Sequence, residues 1–135
     1  MAVYAFTNSK FTLNAVDLSD HVRKVTIKTS AAELETTAMG GTYRSRIGGL
    51  LDYEITIEWN QDFAAGKVDA TVFGILGTVV PFTVKRDTAA NSATNPEYQG
   101  NCLISDYSPL DGSVGDLGVT SSTFKGSGTL TRAVV

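Results

Sequence analysis

The chain has one cysteine, one histidine and three prolines in 135 residues. Cys102 alone cannot close an intramolecular disulfide, and its place between Asn101 and Leu103 in an apolar-polar run reads as a buried, inert thiol. His21 alone excludes a multi-histidine metal site. No run approaches the ~18 apolar residues of a membrane-spanning helix, so no membrane partner is expected. The opening MAVYAFTNSKF has no basic segment leading into an apolar stretch, which predicts no signal peptide and folding in a reducing cytoplasm. Charge is sparse as well: 19% of residues are charged, the net is −3, and the five arginines are dispersed, which argues against a surface that reads nucleic acid. With 42% hydrophobic residues the chain has enough apolar material for a core without staples. No internal repeat or linker divides it, so residues 1–135 read as a single domain.

What is abundant points to β structure. Val (13), Ile (6), Thr (17) and 12 aromatics fill 48 positions, and these side chains suit a pleated, half-buried surface. The clearest strand spans residues 51–60, with Tyr53, Ile55, Ile57 and Trp59 on one face and Asp52, Glu54, Thr56, Glu58 and Asn60 on the other. Residues 22–29 alternate likewise, Val25 and Ile27 inward against Lys24, Thr26 and Lys28. Residues 32–39 read as a neighbouring strand, with Leu34 opposed to Glu33 and Glu35. Further runs at 79–86, 98–107, 117–125 and 128–134 are bounded by turn residues, giving about seven strands. Pro81 belongs at a strand start or edge, since it cannot donate to a ladder. One segment departs from the period of two: Val68, Val72, Ile75 and Leu76, after Asp62 and before Gly77, predict a single short helix. Residues 40–49 (GGTYRSRIGG) read as a basic flap hinged by paired glycines, and residues 87–96 (DTAANSATNP) as a small polar excursion.

The search for reactive chemistry is negative. Any Ser/His/Asp or Cys/His arrangement must use His21, which lies among Asp17, Asp20, Arg23 and Lys24 and reads as a solvated turn residue. Glu33 with Glu35, and Glu54 with Glu58, fall on polar strand faces, where solvated charge is the ordinary reading of a carboxylate pair. Residues 112–116 (GSVGD) match neither the calcium-loop nor the phosphate-loop pattern and read as a β-turn. No enzyme, metal or cofactor is expected.

Taken in order, several short motifs resemble the tail-tube (major tail) proteins of long-tailed bacteriophages. They are Asp17-Leu18-Ser19-Asp20-His21-Val22, then Thr37-Ala38-Met39-Gly40 with Arg46-Ile47-Gly48-Gly49-Leu50, then Glu58-Trp59-Asn60-Gln61-Asp62-Phe63 before Val68-Asp69-Ala70-Thr71. The second half continues with Asn95-Pro96-Glu97-Tyr98, Gly112-Ser113-Val114-Gly115-Asp116 and Gly126-Ser127-Gly128-Thr129-Leu130-Thr131-Arg132. The resemblance covers about residues 17 to 132. It leaves out the first sixteen residues and shows no appended C-terminal domain.

The resemblance implies a mainly β domain, a β-sandwich or half-barrel of about seven strands with one short flanking helix. It further implies hexameric rings stacked into the tube through which a genome leaves the virion. Expected partners are copies of the chain itself, tail-initiation, tape-measure and tail-terminator proteins, and DNA in transit without specific binding. If six subunits each lend about four strands at ~4.8 Å spacing and ~45° tilt, the bore is roughly 40 Å across, wide enough for a duplex. Two surfaces are expected to matter. Glu33, Glu35, Glu54 and Glu58 are expected to face the channel, where carboxylates keep phosphates from adhering. Tyr43, Arg44, Arg46 and Ile47 of the flap are expected to make the contact between rings. Two competing readings are a capsid decoration or tail-completion protein and a carbohydrate-binding sandwich. The second is weakened because Tyr53 and Trp59 alternate with charge and read as core.

Overall fold

Alternation over residues 53–60 is decided by burial. Tyr53, Ile55, Ile57 and Trp59 are buried, with the last three wholly excluded from solvent, and the residues between them are half-exposed. In the computed structural model, which describes residues 3–5 and 7–135, this stretch belongs to strand β4 (Arg46–Asn60). The other strands are β1 (Lys10–Leu13), β2 (Val16–Asp17), β3 (Val22–Glu35), β5 (Val79–Lys85), β6 (Glu97–Leu103), β7 (Val119–Gly126) and β8 (Thr131–Ala133), with helix α1 at Val68–Val72. The strands form one antiparallel sheet in the order β2-β1-β5-β6-β7-β4-β3, with β8 paired beside β6.

The sheet folds back on itself at β6. One side of β6 pairs along its whole length with β5, while the other side is shared: Glu97, Tyr98 and Gln99 pair with β8, and Cys102 and Leu103 with β7. The two wings then close face to face. Phe11 of β1 meets Trp59 of β4 edge-on at 6.4 Å, Tyr53 of β4 lies 6.1 Å from Phe82 of β5, and Phe124 of β7 is 6.5 Å from Trp59. Aromatic contacts of this kind add ~0.5–1.5 kcal/mol each to simple burial. The result is a mainly β, half-barrel fold built from one open antiparallel sheet, as the resemblance implies. Helix α1 covers one end through buried Val68 and Val72, then tightens into a 3₁₀ turn at Phe73–Ile75.

Several expectations need correction. Residues 22–29 and 32–39 are not two neighbouring strands, because β3 runs on through Ser30 and Ala31, which pair with Asp52 and Leu51 of β4. The glycines at 48 and 49 are not a hinge, since both lie inside β4. The register slips there by one residue, from Ala31↔Leu51 to Glu33↔Gly48, and a Cβ on Gly49 would sit 3.1 Å from the Ala32 Cβ. Glycine at that place permits a bulge. Among the described residues the count is eight strands and not about seven, because β1 and β2 are too short for period-two reading; Asn14 and Ala15, with φ of 52° and 65°, supply the tight turn between them. Pro81 lies inside β5 just past the last β1 pair, and its carbonyl accepts the Asn14 N–H at 2.8 Å. Residues 87–96 are a loop wrapped round two buried side chains. The Lys85 ammonium donates to Ala89 O (2.8 Å) and Asn91 Oδ1 (3.0 Å), and Asn95 Nδ2 to Ala89 O (3.0 Å).

Candidate functional site

Beyond the body of the sheet, β3 and β4 have only each other. Pairing of β4 with β7 begins at Glu54, so residues 30–35 and 46–52 form a two-stranded arm joined by a tip at residues 36–45. The tip is tied by Thr36 N–H to Ser45 O (2.8 Å), Ser45 N–H to Thr37 Oγ1 (2.9 Å) and a hydroxyl pair between Thr36 and Ser45 (2.7 Å). Tyr43 is 89% exposed and Ile47 57%, and Leu50, Leu51 and Met39 stand still more open than Ile47. Arg44 lies 3.8 Å from Glu35 as an exposed ion pair. Arg46 has Glu35 as its backbone partner across the ladder. The four residues singled out in the flap are therefore gathered at the end of the arm. An isolated two-stranded ribbon is marginal in water, and this one carries a row of uncovered apolar side chains.

The four glutamates divide into two pairs. Glu54 and Glu58 project from the body of the sheet on the face shared with Lys24, Thr26 and Lys28, with Lys28 directly opposite Glu54 and Lys24 opposite Glu58. Glu54 also meets Lys125 on its other flank, and that hydrogen bond holds its carboxyl below the usual range while raising the Lys125 pKa. Glu58 pairs with Arg23 at 3.3 Å. Glu33 and Glu35 lie in the arm and share the parity of Val25 and Ile27, which places them on the other face of β3. All four do not share one surface. Arg23, Lys24, Lys28 and Lys125 lie beside Asp52, Glu54 and Glu58, so the polar face of β3, β4 and β7 is close to charge-balanced. Counting twos from Val25 onward reveals the split, and the cross-strand cations become visible only once the register is set.

At the opposite end of β4, the loop at residues 106–118 is fastened at its base. The Tyr107 hydroxyl donates to Asp69 Oδ1 (2.9 Å) and accepts from Gln61 Nε2 (2.8 Å), which also donates to Pro109 O (2.7 Å). Burial, reinforced by the Asp69 carboxylate, pushes the Tyr107 pKa up to about 12. Thr120 Oγ1 donates to Ser108 O, and Gln61 N–H to Gly118 O. His21 is joined to this end of the fold through Asp62, the neighbour of Gln61: its Nε2 is 2.8 Å from Asp62 Oδ2 and its Nδ1 is 2.8 Å from Asp20 Oδ1. Its side chain is only 15% exposed, so it is a clamped residue and not a solvated one. Cys102 is fully buried and its pKa is pushed up to about 12 by that burial, as an inert thiol requires. Among the described residues no cluster of three or more His, Cys, Asp or Glu could hold a metal ion.

The fold as a whole has likenesses among solved structures. No protein-family model and no curated protein matches the sequence. In structure, the chain matches a chain of the virion of a native gene transfer agent particle with TM-score 0.78 and 17% identity, covering 97% of this chain and 99% of that one. It matches a chain of the tail of the empty gene transfer agent particle, refined with C6 symmetry, with TM-score 0.66, 18% identity and 82% and 81% coverage. It also matches a chain of the sixfold-symmetrised baseplate of the anti-feeding prophage, with TM-score 0.58, 6% identity and 99% coverage of both. The fold is thus shared with chains of a gene transfer agent virion, a gene transfer agent tail and a prophage baseplate, over 97%, 82% and 99% of this chain.

Proposed function

We propose that this chain is a structural subunit of a phage-like tail tube: six copies close a ring, and rings stack into a conduit for DNA ejection. The observation that carries the proposal is the end-to-end likeness in fold to a chain of the gene transfer agent virion, together with a likeness to a chain from a tail of C6 symmetry. Two features of the subunit support it. Strand β3, 14 residues long, is an end strand of the sheet, and a long unpaired edge is a liability unless a neighbour covers it. Ring closure supplies that neighbour. The exposed arm, carrying Tyr43, Arg44, Arg46 and Ile47, is suited to bridge one ring to the next.

In this reading Glu54 and Glu58, with the cations that flank them, line the channel, while Glu33 and Glu35 serve the arm. Tail-initiation, tape-measure and tail-terminator proteins are the partners, and the subunit enters the virion after assembly in the host cytoplasm. No catalytic step is assigned to it. Purified protein, concentrated or seeded with a tail-initiation complex, is expected to form sixfold rings or tubes visible by negative-stain microscopy. A sedimentation profile that stays monomeric at high concentration, with and without the seed, would overturn the proposal.

A further inference from the structure

The arm tip and the loop at residues 106–118 lie at opposite ends of one strand, since β4 begins at Arg46 and Gln61 follows its last residue. Fifteen residues at ~3.3 Å each separate the two by roughly 50 Å. Their chemistry is opposite as well. Residues 36–47 hold Arg44 and Arg46 and no carboxylate, whereas residues 106–116 hold Asp106, Asp111 and Asp116 and no cation. No lysine or arginine occurs anywhere between Arg86 and Lys125.

Both ends also expose apolar groups. The tip presents Met39, Tyr43 and Ile47, and the far end presents Phe63 at 59% exposure, Leu110 at 82% and Val114 at 107%. Phe63, Leu110, Asp111 and Asp116 border a recess of about 300 Å³. Its base is held by the Tyr107–Gln61–Asp69 and Thr120–Ser108 hydrogen bonds, so the recess is set before any partner arrives. Arg46 forms no ion pair among the described residues. Arg44 has only the long, exposed contact to Glu35 and can exchange it at small cost.

We infer that the acidic, apolar recess formed by Phe63, Leu110, Asp111 and Asp116 is the socket for the arm tip of a second copy of this chain. This rests on the tube reading and names the surface that receives the arm. A patch at one end that fits a different patch at the other makes a head-to-tail contact, which propagates as a stack instead of closing on itself. The aspartates select the basic tip and fix its register, while the aromatic and aliphatic groups supply the dry centre of the contact.

Charge exchange tests it. Asp111→Lys with Asp116→Lys, and separately Arg44→Glu with Arg46→Glu, alter only exposed residues, and thermal melting checks that each variant folds like wild type. Each pair is expected to raise the critical concentration for tube formation by about tenfold or more, as unlike charges become like ones across a docked contact. The four-substitution chain, with both ends reversed, is expected to return to within about threefold of wild type. Should wild type itself form neither rings nor tubes, the tube reading falls. Tubes from wild type and equally from the Asp111/Asp116 variant would leave that reading standing and overturn the socket, as would failure of the four-substitution chain to recover.

Discussion

His21 is gripped at both ring nitrogens by carboxylates, Asp20 on one side and Asp62 on the other. A neutral imidazole has one N–H to give, so only the imidazolium donates to both. Burial alone would lower its pKa, but the hydrogen bonds it donates to Asp62 and then Asp20 outweigh burial and raise it above 6.5. Asp62 is held below 3.8, chiefly by the Ala64 N–H and next by His21 itself. The signs follow. The raised histidine contributes stability that is complete below pH 6.5 and lost as pH climbs through its folded value. The lowered aspartate contributes stability that is present above pH 3.8 and lost as pH falls through its own folded value. The clamp is therefore strongest between about pH 4 and 6.5. The thermal stability of wild type is expected to decline as pH rises above about 6.5 through the raised folded value, and His21→Gln, which cannot charge, is expected to lack that decline. Identical pH slopes in the two proteins would remove the clamp from the account. The sequence shows His21 in a charged turn, and it is found there, in a 3₁₀ turn over Ser19–His21. Its burial is not legible because Asp62 lies 41 residues away and arrives only when the sheet folds.

At the scale of an element, β4 organises the domain, and one of its residues is seated in backbone. The Tyr53 ring lies over Gly126, where an added Cβ would fall 2.4 Å from Cε2, and its hydroxyl stands 2.8 Å from the Cβ position of Gly100. That hydroxyl donates to Asn101 O at 2.6 Å and accepts the Asn101 N–H at 3.2 Å, tying β4 to β6 across the fold. Gly126→Ala has no free space to use, and the ring cannot shift without breaking both bonds. It is expected to destabilise by about 1–3 kcal/mol, the usual cost of overpacking a filled core. Urea unfolding measures this, with an unchanged m-value locating the effect in the native state. A loss under about 0.5 kcal/mol, the range of ordinary surface substitutions, would show that the ring has room to move. Alternation made the inner face of β4 legible from Tyr53 to Trp59, because the pattern repeats four times and one face is fully dry. The arm was not legible in the same way. Its residues are exposed on both faces, so period-two burial gives no signal, and its glycine pair looks like a hinge until the register slip is seen. The charge split between Glu33/Glu35 and Glu54/Glu58 was present in the sequence, but only for a β3 that continues unbroken.

For the whole molecule, the proposed tube raises the question of which broad face would meet the DNA. A channel wall must let a polyanion pass without holding it, and each added cation that touches a phosphate strengthens binding through counterion release. The polar face of β3, β4 and β7 meets this demand by balance: Glu54 and Glu58 are flanked by Lys28, Lys125, Lys24 and Arg23. Changing Glu54 and Glu58 to Lys turns that balance into a strongly basic strip, repeated round the ring. Because these side chains are solvated and their ion pairs are of the exposed kind, assembly is expected to survive. Tubes of the Lys variant are expected to retain short duplex DNA at low salt and to release it as salt rises, since screening shortens to ~8 Å at physiological ionic strength. Wild-type tubes are expected to retain almost none, and Glu54→Gln with Glu58→Gln to fall between. Position is read by nuclease. DNA held inside the bore is shielded from digestion, whereas DNA held on an outer wall is cut, and digestion of the retained duplex would place Glu54 and Glu58 on the outside of the tube.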